Sequence, residues 1–194
     1  MDGRKIISKY ENPIDNILIL LSIQLGKILS KYSFFTPNVF TTASLIIALI
    51  SLYYIYYTYY KIGSILFFIS YFFDCLDGNF ARKYNMVTKF GDLYDHISDQ
   101  LKYILLIIII TVYANLKKNT KILFILILIS TYILSWFHLA CQQQYYKDES
   151  ILNYLRFLCH DKKNIIYTRY IGVGTFTTTT CIFIYNIKYI NTLL

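Results

Sequence analysis

The sequence predicts an all-α integral membrane protein, a bundle of about six transmembrane helices preceded by an N-terminal amphipathic interfacial helix. Of the 194 residues, 56% are hydrophobic and only 15% are charged, whereas soluble domains carry about 25% charged residues. Several apolar runs reach the roughly 20 residues that a helix needs to cross a hydrocarbon core. The polar segments between them are short, which favours antiparallel neighbours in one bundle.

The first element predicted is a polar tail followed by an amphipathic helix, and we assign residues 1–36 to a cytosolic tail and interfacial helix. Asn12, Pro13 and Asp15 mark a helix start, because Asn caps, Pro suits the first position and an acid complements the helix N-terminus. Apolar residues then recur at helical spacing: Ile14, Ile17, Leu18, Leu21, Leu25, Ile28 and Leu29. The polar Asp15 and Ser22 fall elsewhere. Such a helix suits the membrane interface, and a short first span is the alternative.

Residues 37–194 form the predicted transmembrane domain. Its apolar segments predict spans over 38–60, 63–82, 91–114, 120–140 and 164–190. A sixth segment, 150–159, is short and carries Arg156. The division of the C-terminal third into spans is therefore left open.

The distribution of Lys and Arg indicates the orientation. Basic residues are concentrated in the tail and after the second span: Arg4, Lys5, Lys9, Lys27, Lys31, Arg82, Lys83 and Lys89. Their position predicts that the tail and the end of the second span face the cytosol, although Lys117, Lys118 and Lys121 count against this orientation. The net charge of +8 suits anionic lipid headgroups or a phosphorylated substrate. Without a basic patch outside the spans, no nucleic-acid partner is predicted.

The cysteines predict no chemistry of their own. They form no CxxC pair and have no metal-ligand spacing with a histidine, so Cys75, Cys141 and Cys181 are expected to be small buried hydrophobes. Cys159 stands next to His160 in a polar connection, where a chemical role is the minor interpretation.

The density of aspartates between residues 74 and 99 is the main functional signal. Asp74 and Asp77 are spaced i, i+3 on the second span, and Asp95 and Asp99 are spaced i, i+4 on the third, so each pair lines one helix face. An isolated acid at the centre of a membrane helix costs roughly 2.5–3.5 kcal/mol, so this group needs a compensating partner. Converging carboxylates are typical ligands of Mg²⁺ or Mn²⁺. Two such ions could neutralise a diphosphate.

The neighbours of these acids fit a phosphate-binding site. Gly78 and Ala81 lie on the side of the first acidic pair, where small side chains allow a ligand to approach the backbone. Arg82 can donate a bidentate fork to phosphate, and Gly91 clears space one turn before Asp95. Other interpretations remain open: a solvated helix end, which we prefer for Asp92, an ion relay, or small residues that only permit close helix packing.

The string resembles, at every defined position, the D-x2-D-G-x2-A-R-x8-G-x3-D-x3-D signature of the CDP-alcohol phosphatidyltransferase family. The matching residues are Asp74, Asp77, Gly78, Ala81, Arg82, Gly91, Asp95 and Asp99. Upstream, the segment from Thr36 to Thr41 is similar to the Pro-Asn-x-x-Thr stretch that opens the first span in many members. Together the two matches cover roughly residues 36–100.

The resemblance implies an often dimeric membrane enzyme that uses two Mg²⁺ or Mn²⁺ ions. It would transfer a substituted phosphate from a CDP-linked donor to an alcohol and release CMP. The residues implied in metal binding are Asp74, Asp77, Asp95 and Asp99, with Asp99 also the base for the acceptor hydroxyl. The residues implied in donor binding are Asn38, Thr41, Gly78, Ala81, Arg82 and Thr88.

Two donors remain open within this family. CDP-diacylglycerol with a polar alcohol suits the compact chain, and CDP-choline or CDP-ethanolamine with diacylglycerol is the alternative, since Asp95-His96 is similar to a variant among aminoalcohol phosphotransferases. His96 is equally interpretable as a helix residue facing headgroups. A cation transporter and a catalytically inactive scaffold are the readings from other classes. Candidates for binding a phosphorylated alcohol are Lys102, Lys147, Arg156 and Arg169.

Overall fold

The structure is a computed structural model that describes residues 2–145 and 151–194, and these residues form helices and turns without a strand. Lys147, a candidate for alcohol binding, lies outside the described residues. The helices are α1 (Pro13–Leu29), α2 (Pro37–Tyr56), α3 (Tyr60–Lys83), α4 (Lys89–Ile108), α5 (Lys118–Tyr145), α6 (Ile165–Thr168) and α7 (Val173–Leu193). A π-helical turn, Ile109–Tyr113, extends α4, and 3₁₀ segments cover Ile151–Leu158, Lys162–Asn164 and Arg169–Ile171.

Helix α1 begins as the sequence predicts. Asn12 caps it, accepting hydrogen bonds from the backbone N–H groups of Ile14 and Asp15, and Pro13 is its first residue. The side that packs on the bundle holds mainly small and polar residues: Asp15, Leu18, Ile19, Ser22 and Gly26. The outward side carries the larger apolar residues Ile17, Leu20, Leu21 and Ile28. Asp15 and Ser22, which fall outside the apolar stripe in the sequence, are buried on the side of α1 that packs on the bundle.

Helix α1 runs along α3 in the same direction. Near its start the hydroxyl of Tyr71 donates to Asp15 Oδ1 at 2.5 Å, and near its end the hydroxyl of Tyr84 donates to the carbonyl of Gly26 at 3.1 Å. Packing around the end of α3 is completed by the buried Phe40, Leu76 and Phe80. This arrangement fixes the half of α3 that carries the acids.

Helices α2, α3 and α4 follow the predicted spans closely. α2 and α3 form a tight hairpin at Thr58, whose φ is +64°. The turn between α3 and α4 contains Asn85 at φ +55°, a left-handed conformation that Asn tolerates better than most residues. The end of α3 and the start of α4 therefore meet at one end of the bundle, which we call the pocket end. The α2–α3 turn lies at the opposite, far end.

The C-terminal third differs most from expectation. The expected span over 164–190 begins later, because residues 162–171 form short turns and α7 starts at Val173. Residues 151–158 form a 3₁₀ segment of 8 residues, too short to cross a bilayer. Among the described residues, three helices are long and apolar enough to do so: Pro37–Tyr56, Lys89–Tyr113 and Lys118–Tyr145. The expectation of about six spans is not confirmed.

Two further apolar clusters among the described residues hold the bundle together. One lies toward the far end and includes Leu106, Ile110, Phe124 and Ile184, all at most 1% exposed. The other joins the N-terminal segment, residues 2–11, to the end of α5 through Ile6, Ala140 and Cys141. Cys141 is buried as expected, but it forms a disulfide with Cys159, so the expectation that it has no chemistry of its own is wrong. The pairing partner is 18 residues away, a separation with no sequence signature.

Candidate active site

Three of the predicted acids meet between α3 and α4. Asp74 on α3 and Asp95 and Asp99 on α4 each offer a carboxylate oxygen, and these atoms lie within 4.8 Å of one another. The i, i+4 spacing on α4 and the short turn from α3 allow these carboxylates to converge, as the sequence predicts. We call these three residues the acidic centre.

Asp77 lies one helical turn beyond Asp74 and is 3% exposed. Its Oδ2 accepts a hydrogen bond from the hydroxyl of Thr41 on α2 at 2.5 Å. The same hydroxyl also approaches the carbonyl of Pro37 at 3.2 Å. Thr41, expected to contact the donor, therefore orients an acid of the site.

Lys102 lies within the acidic centre. Its Nζ is 3.0 Å from Asp74 Oδ1 and 2.6 Å from Asp99 Oδ1, and it donates to Ser44 Oγ at 3.1 Å. The sequence offered Lys102 as a ligand for a phosphorylated alcohol. The structure instead pairs it with two of the predicted metal ligands, one turn from Asp99 on the same helix.

A pocket opens beside the acidic centre and collects the predicted donor-binding residues. The predicted residues that line it are Asn38, Thr41, Asp77, Gly78, Ala81, Arg82, Thr88, Gly91 and Asp95. Lys5, Pro37, Met86, Val87 and Asp92 complete the lining. Residues from the N-terminal segment, α2, α3 and α4 thus meet at one cavity.

Gly91 allows the first turn of α4 to approach α2. A Cβ at this position would lie 3.0 Å from Thr88 Oγ1 and 3.2 Å from Asn38 Oδ1. Thr88 is the N-cap of α4, and its Oγ1 accepts from the backbone N–H of Gly91 at 3.0 Å. Thr88 therefore has a structural role in addition to its place in the pocket.

Arg82 lies over Gly78 at the end of α3. A Cβ at Gly78 would lie 3.1 Å from Arg82 Nη1, so the glycine leaves room for the guanidinium group. Arg82 Nε donates to the carbonyl of Gly3 at 2.8 Å, and Asn79 Nδ2 donates to the carbonyl of Asp2 at 3.1 Å. The N-terminal segment is thereby fixed against the helix that carries the motif.

Lys5 brings a basic group from this segment into the pocket lining. Burial, and after it the nearby Arg82 guanidinium, lowers the pKa of Lys5 to about 8. The sequence gave no reason to place a tail residue here, because the contact depends on packing between segments far apart in the chain.

The first acid of α4, Asp92, lines the pocket rather than marking only a helix end. Its Oδ1 is 3.4 Å from His96 Nε2, an i, i+4 pair. His96 therefore contacts a neighbouring acid on its own helix. This contact does not distinguish a role in donor specificity from a position that faces lipid headgroups.

A second group of buried polar residues lies where α1 begins and α5 ends. This terminal polar cluster contains Glu11, Asn12, Asp15, Tyr71, His138 and Gln142. Glu11 Oε1 accepts from Gln142 Nε2 at 2.8 Å and from the backbone N–H of Asn12 at 3.1 Å. Asp15 accepts from Tyr71 and from the backbone N–H of Gly174 at 3.2 Å. Burial, and after it Glu11, raises the pKa of Asp15 to about 7.

The two arginines considered for alcohol binding contact the backbone of other segments. Arg156 Nε donates to the carbonyl of Gln143 at 2.9 Å. Arg169 donates through Nη1 to the carbonyl of Lys9. Both contacts tie the segment between α5 and α7 to its surroundings, and neither residue belongs to the pocket lining.

The residues of the acidic centre fit a divalent cation. Among the described residues, Asp95 Oδ1 is buried without a hydrogen-bond partner, which is costly unless a ligand satisfies it. Three carboxylate oxygens within 4.8 Å of one another form the oxygen-rich donor set that Mg²⁺ and Mn²⁺ prefer. Both the carboxylate oxygens and the unpartnered oxygen of Asp95 are therefore suited to a divalent cation.

Comparison with known proteins decides the family. The model of the CDP-alcohol phosphatidyltransferase family matches residues 34–194. The chain belongs to this family. The match covers α2 to α7, with the acidic centre and every pocket-lining residue except Lys5. The resemblance to CDP-alcohol phosphatidyltransferases seen in the sequence is confirmed.

Two relatives are similar to shorter stretches of this family member. The CDP-diacylglycerol--glycerol-3-phosphate 3-phosphatidyltransferase of Rickettsia felis is 36% identical over 68 residues, which is 34% of this chain and 38% of that protein. The protein of the same description from Rickettsia typhi is 49% identical over 41 residues, 21% of this chain and 23% of that one. The chain therefore spans less than two fifths of the length of either relative. No solved structure matches.

Sequence reasoning missed three features of the site. It did not place Lys5 in the pocket or Asp15 in a buried cluster, and it assigned Lys102 to a different ligand. Only Lys102 had a usable signal, because the i, i+3 spacing from Asp99 places both on one helix face. The other two contacts join residues distant in sequence.

Proposed function

We propose that this protein transfers a substituted phosphate group from a CDP-linked donor to an alcohol hydroxyl, with release of CMP. The observation that carries the proposal is the meeting of Asp74, Asp95 and Asp99 beside a pocket lined by Asn38 and Arg82. Membership in the CDP-alcohol phosphatidyltransferase family supports the same reaction.

The proposed cofactor is a pair of Mg²⁺ or Mn²⁺ ions bound by Asp74, Asp77, Asp95 and Asp99. Such ions shield the diphosphate charge and stabilise the departing CMP. Thr41 orients Asp77 by a hydrogen bond of 2.5 Å. No covalent enzyme intermediate is needed for this displacement.

Asp99 is the proposed base that takes the proton from the acceptor hydroxyl. A base must come within hydrogen-bond reach of that proton, and Asp99 retains 31% side-chain exposure although Lys102 contacts one of its oxygens. Its position at the rim of the acidic centre supports this role.

The donor is proposed to bind in the pocket. Asn38, Gly78, Ala81 and Thr88 line it, and Arg82 supplies a guanidinium suited to phosphate. Gly91 provides the clearance between α4 and α2. The lipid part of the donor would extend from the pocket along the apolar helix surfaces.

CDP-diacylglycerol is the proposed donor and glycerol 3-phosphate the first acceptor to test. The names of the two Rickettsia proteins describe this pair of substrates. The alternative, an aminoalcohol donor with diacylglycerol, is favoured only by His96 beside Asp95. A cation transporter is less well supported, because the acids gather in one hairpin beside a pocket.

We propose that α3 and α7 cross the membrane together with the three helices that are long and apolar enough to do so, giving five crossings rather than six, with α1 at the interface. The domain division at residues 36 and 37 follows the same proposal. The pocket end is proposed to face the cytosol, because the segment between α5 and α7 adds its basic residues to those of the tail: Arg156, Lys162, Lys163 and Arg169. A homodimer within the bilayer is part of the proposal.

The test is a substrate panel with purified protein in detergent micelles. Protein is supplied with Mn²⁺, with CDP-diacylglycerol, CDP-choline or CDP-ethanolamine, and with glycerol 3-phosphate, inositol or diacylglycerol, and CMP is quantified. Release of CMP that requires both CDP-diacylglycerol and a polar alcohol is expected. Release only with CDP-choline or CDP-ethanolamine would favour the alternative donor, and no release with any pair would contradict the proposal.

A further inference from the structure

Lys102 is a buried cation inside the acidic centre. Its side chain is 5% exposed, and its ammonium group contacts Asp74 on α3 and Asp99 on α4. Ser44 on α2 is the third acceptor. An ammonium group has three donors, so this environment satisfies all of them.

The hydroxyl group of Ser44 is held in one orientation. The hydroxyl of Ser44 donates to the carbonyl of Ser70 at 2.9 Å, which leaves an oxygen lone pair for Lys102 at 3.1 Å. Both serines are at most 1% exposed. Helices α2 and α3 therefore provide a fixed acceptor for the ammonium group, in addition to the two carboxylates.

The acidic centre thus has two unlike sides. On one side the ammonium of Lys102 lies between Asp74 and Asp99, where an ion bridging those two carboxylates would have to bind. On the other side the buried oxygen of Asp95 has no hydrogen-bond partner. Asp95 Oδ1 is thus open to a divalent cation, whereas an ion that uses Asp74 Oδ1 or Asp99 Oδ1 must compete with the ammonium group for those oxygens.

We propose that Lys102 is a resident cation of this centre that competes with one of two divalent ions for Asp74 and Asp99. The inference rests on the proposed metal site. The first ion binds through Asp95, and the second binds only by displacing the ammonium group. The wild-type protein therefore binds the second ion more weakly than the first. Lys102 is a positioning residue that sets the order of metal loading.

A purely structural role for Lys102 makes a different prediction. A buried ion pair that only ties α3 to α4 would lower stability when broken without improving the affinity of any ion. Competition predicts the opposite sign for metal binding, because removing a unit charge within about 4 Å of a divalent ion relieves a large repulsion. Metal affinity therefore separates the two roles.

The experiment is a Mn²⁺ titration of the full chain in detergent, followed by the electron paramagnetic resonance signal of free Mn²⁺. Lys102→Met removes the charge and keeps the length of the side chain, and Lys102→Arg keeps the charge. Lys121→Met is the matched control, since Lys121 donates to the carbonyl of Thr111 at 2.9 Å, at the far end.

The expected result is roughly tenfold or greater tightening of the second Mn²⁺ constant in Lys102→Met. In Lys102→Arg and Lys121→Met both constants should stay within about twofold of wild type. Identical second constants in wild type and Lys102→Met would overturn the proposal. The wild-type curve is an independent test if Lys102→Met does not fold, because two equal sites in the wild-type protein would also overturn it.

The proposed reaction is tested separately in the same preparations. If the wild-type protein releases CMP and Lys102→Met binds Mn²⁺ as wild type does, the competition fails and the reaction stands. If the second constant tightens as expected but no CDP donor gives CMP, the competition stands and the reaction fails.

Discussion

The acidic centre and the terminal polar cluster both bury carboxylates in a largely apolar bundle, yet they differ in how those carboxylates are satisfied. In the terminal cluster the chain supplies the partners, since Asp15 accepts from a tyrosine hydroxyl and a backbone N–H, and Glu11 accepts from Gln142. In the acidic centre Asp95 Oδ1 has no hydrogen-bond partner.

This difference teaches that burial of an acid does not by itself identify a site. A buried carboxylate such as Asp15, with a hydrogen bond to each of its two oxygens, contributes to helix packing. A buried carboxylate with an open oxygen, next to a pocket, is available for a ligand. The comparison predicts a role in stability for Asp15 and in cation binding for Asp95, and substitutions at each test this prediction.

The largest loss of CMP release is expected from Asp95→Asn. The substitution keeps the size of the side chain but removes one charged ligand, so CMP release should fall by more than the roughly 10–100-fold typical of losing an outer-sphere partner. The thermal midpoint should not fall, because no hydrogen bond to Asp95 Oδ1 is lost. Asp92→Asn, on the same helix, is the control and should retain more activity. Equal loss in both variants would contradict the assignment.

Asp99→Asn tests the proposed base. An amide cannot accept the hydroxyl proton, so turnover should be abolished while binding of a CDP donor, measured by equilibrium dialysis, changes little. Turnover at the wild-type rate would remove Asp99 from this role.

Asp15→Asn is expected to change stability rather than turnover. Because the pKa of Asp15 is raised to about 7 in the folded protein, the folded state holds a proton that the unfolded state has released above about pH 4. The free energy of unfolding therefore decreases as the pH rises from about 4 to about 7, by at most about 1.4 kcal/mol per pH unit, and levels off above. The variant should lose most of this slope.

Thermal unfolding in detergent at several pH values between 5 and 8 measures that slope. Asp2→Asn, at an exposed acid of the N-terminal segment, is the control and should keep the wild-type pH dependence. An unchanged slope in Asp15→Asn would mean that Asp15 is not the group responsible.

The contrast between these regions also shows what the sequence can predict. The acidic centre follows largely from local spacing, because the i, i+3 and i, i+4 pairs place the acids on one face of each helix and a short turn returns α4 toward α3. The helix start at Asn12 and Pro13 is equally local and was predicted correctly.

The terminal polar cluster does not follow from local spacing. Asp15 meets Gly174, 159 residues away, and Arg82 meets Gly3, 79 residues away. Such contacts depend on how helices pack, and a single sequence contains no periodic signal for them. The disulfide of Cys141 and the late start of α7 were missed for the same reason.

A smaller effect is expected from a pair of glycine substitutions. Gly91→Ala would place a Cβ 3.0 Å from Thr88 Oγ1 and 3.2 Å from Asn38 Oδ1, so the pocket must shift and kcat/KM for the donor should fall by roughly tenfold. Gly26→Ala meets the Phe80 ring at 3.5 Å, an ordinary contact, and should leave kcat/KM unchanged. Equal effects of the two variants would show that Gly91 does not act through the pocket.

The smallest effect on CMP release is expected from substitution of the disulfide cysteines. Disulfides are rare in the cytosol, so a pocket end that faces the cytosol predicts that Cys141 and Cys159 are reduced in cells. Cys141→Ser should then leave CMP release within about twofold of wild type. Alkylation of intact cells followed by mass spectrometry measures the redox state, and a fully oxidised pair would argue that this end faces an oxidising compartment.

The most direct test of the account is Mn²⁺ binding to three proteins: wild type, Asp95→Asn and Asp15→Asn. Free Mn²⁺ is measured by electron paramagnetic resonance at one pH and one ionic strength. The account predicts that wild type and Asp15→Asn bind Mn²⁺ alike, whereas Asp95→Asn binds it much more weakly. Undiminished binding in Asp95→Asn, or a matching loss in Asp15→Asn, would contradict the claim that the open carboxylate marks the cation site.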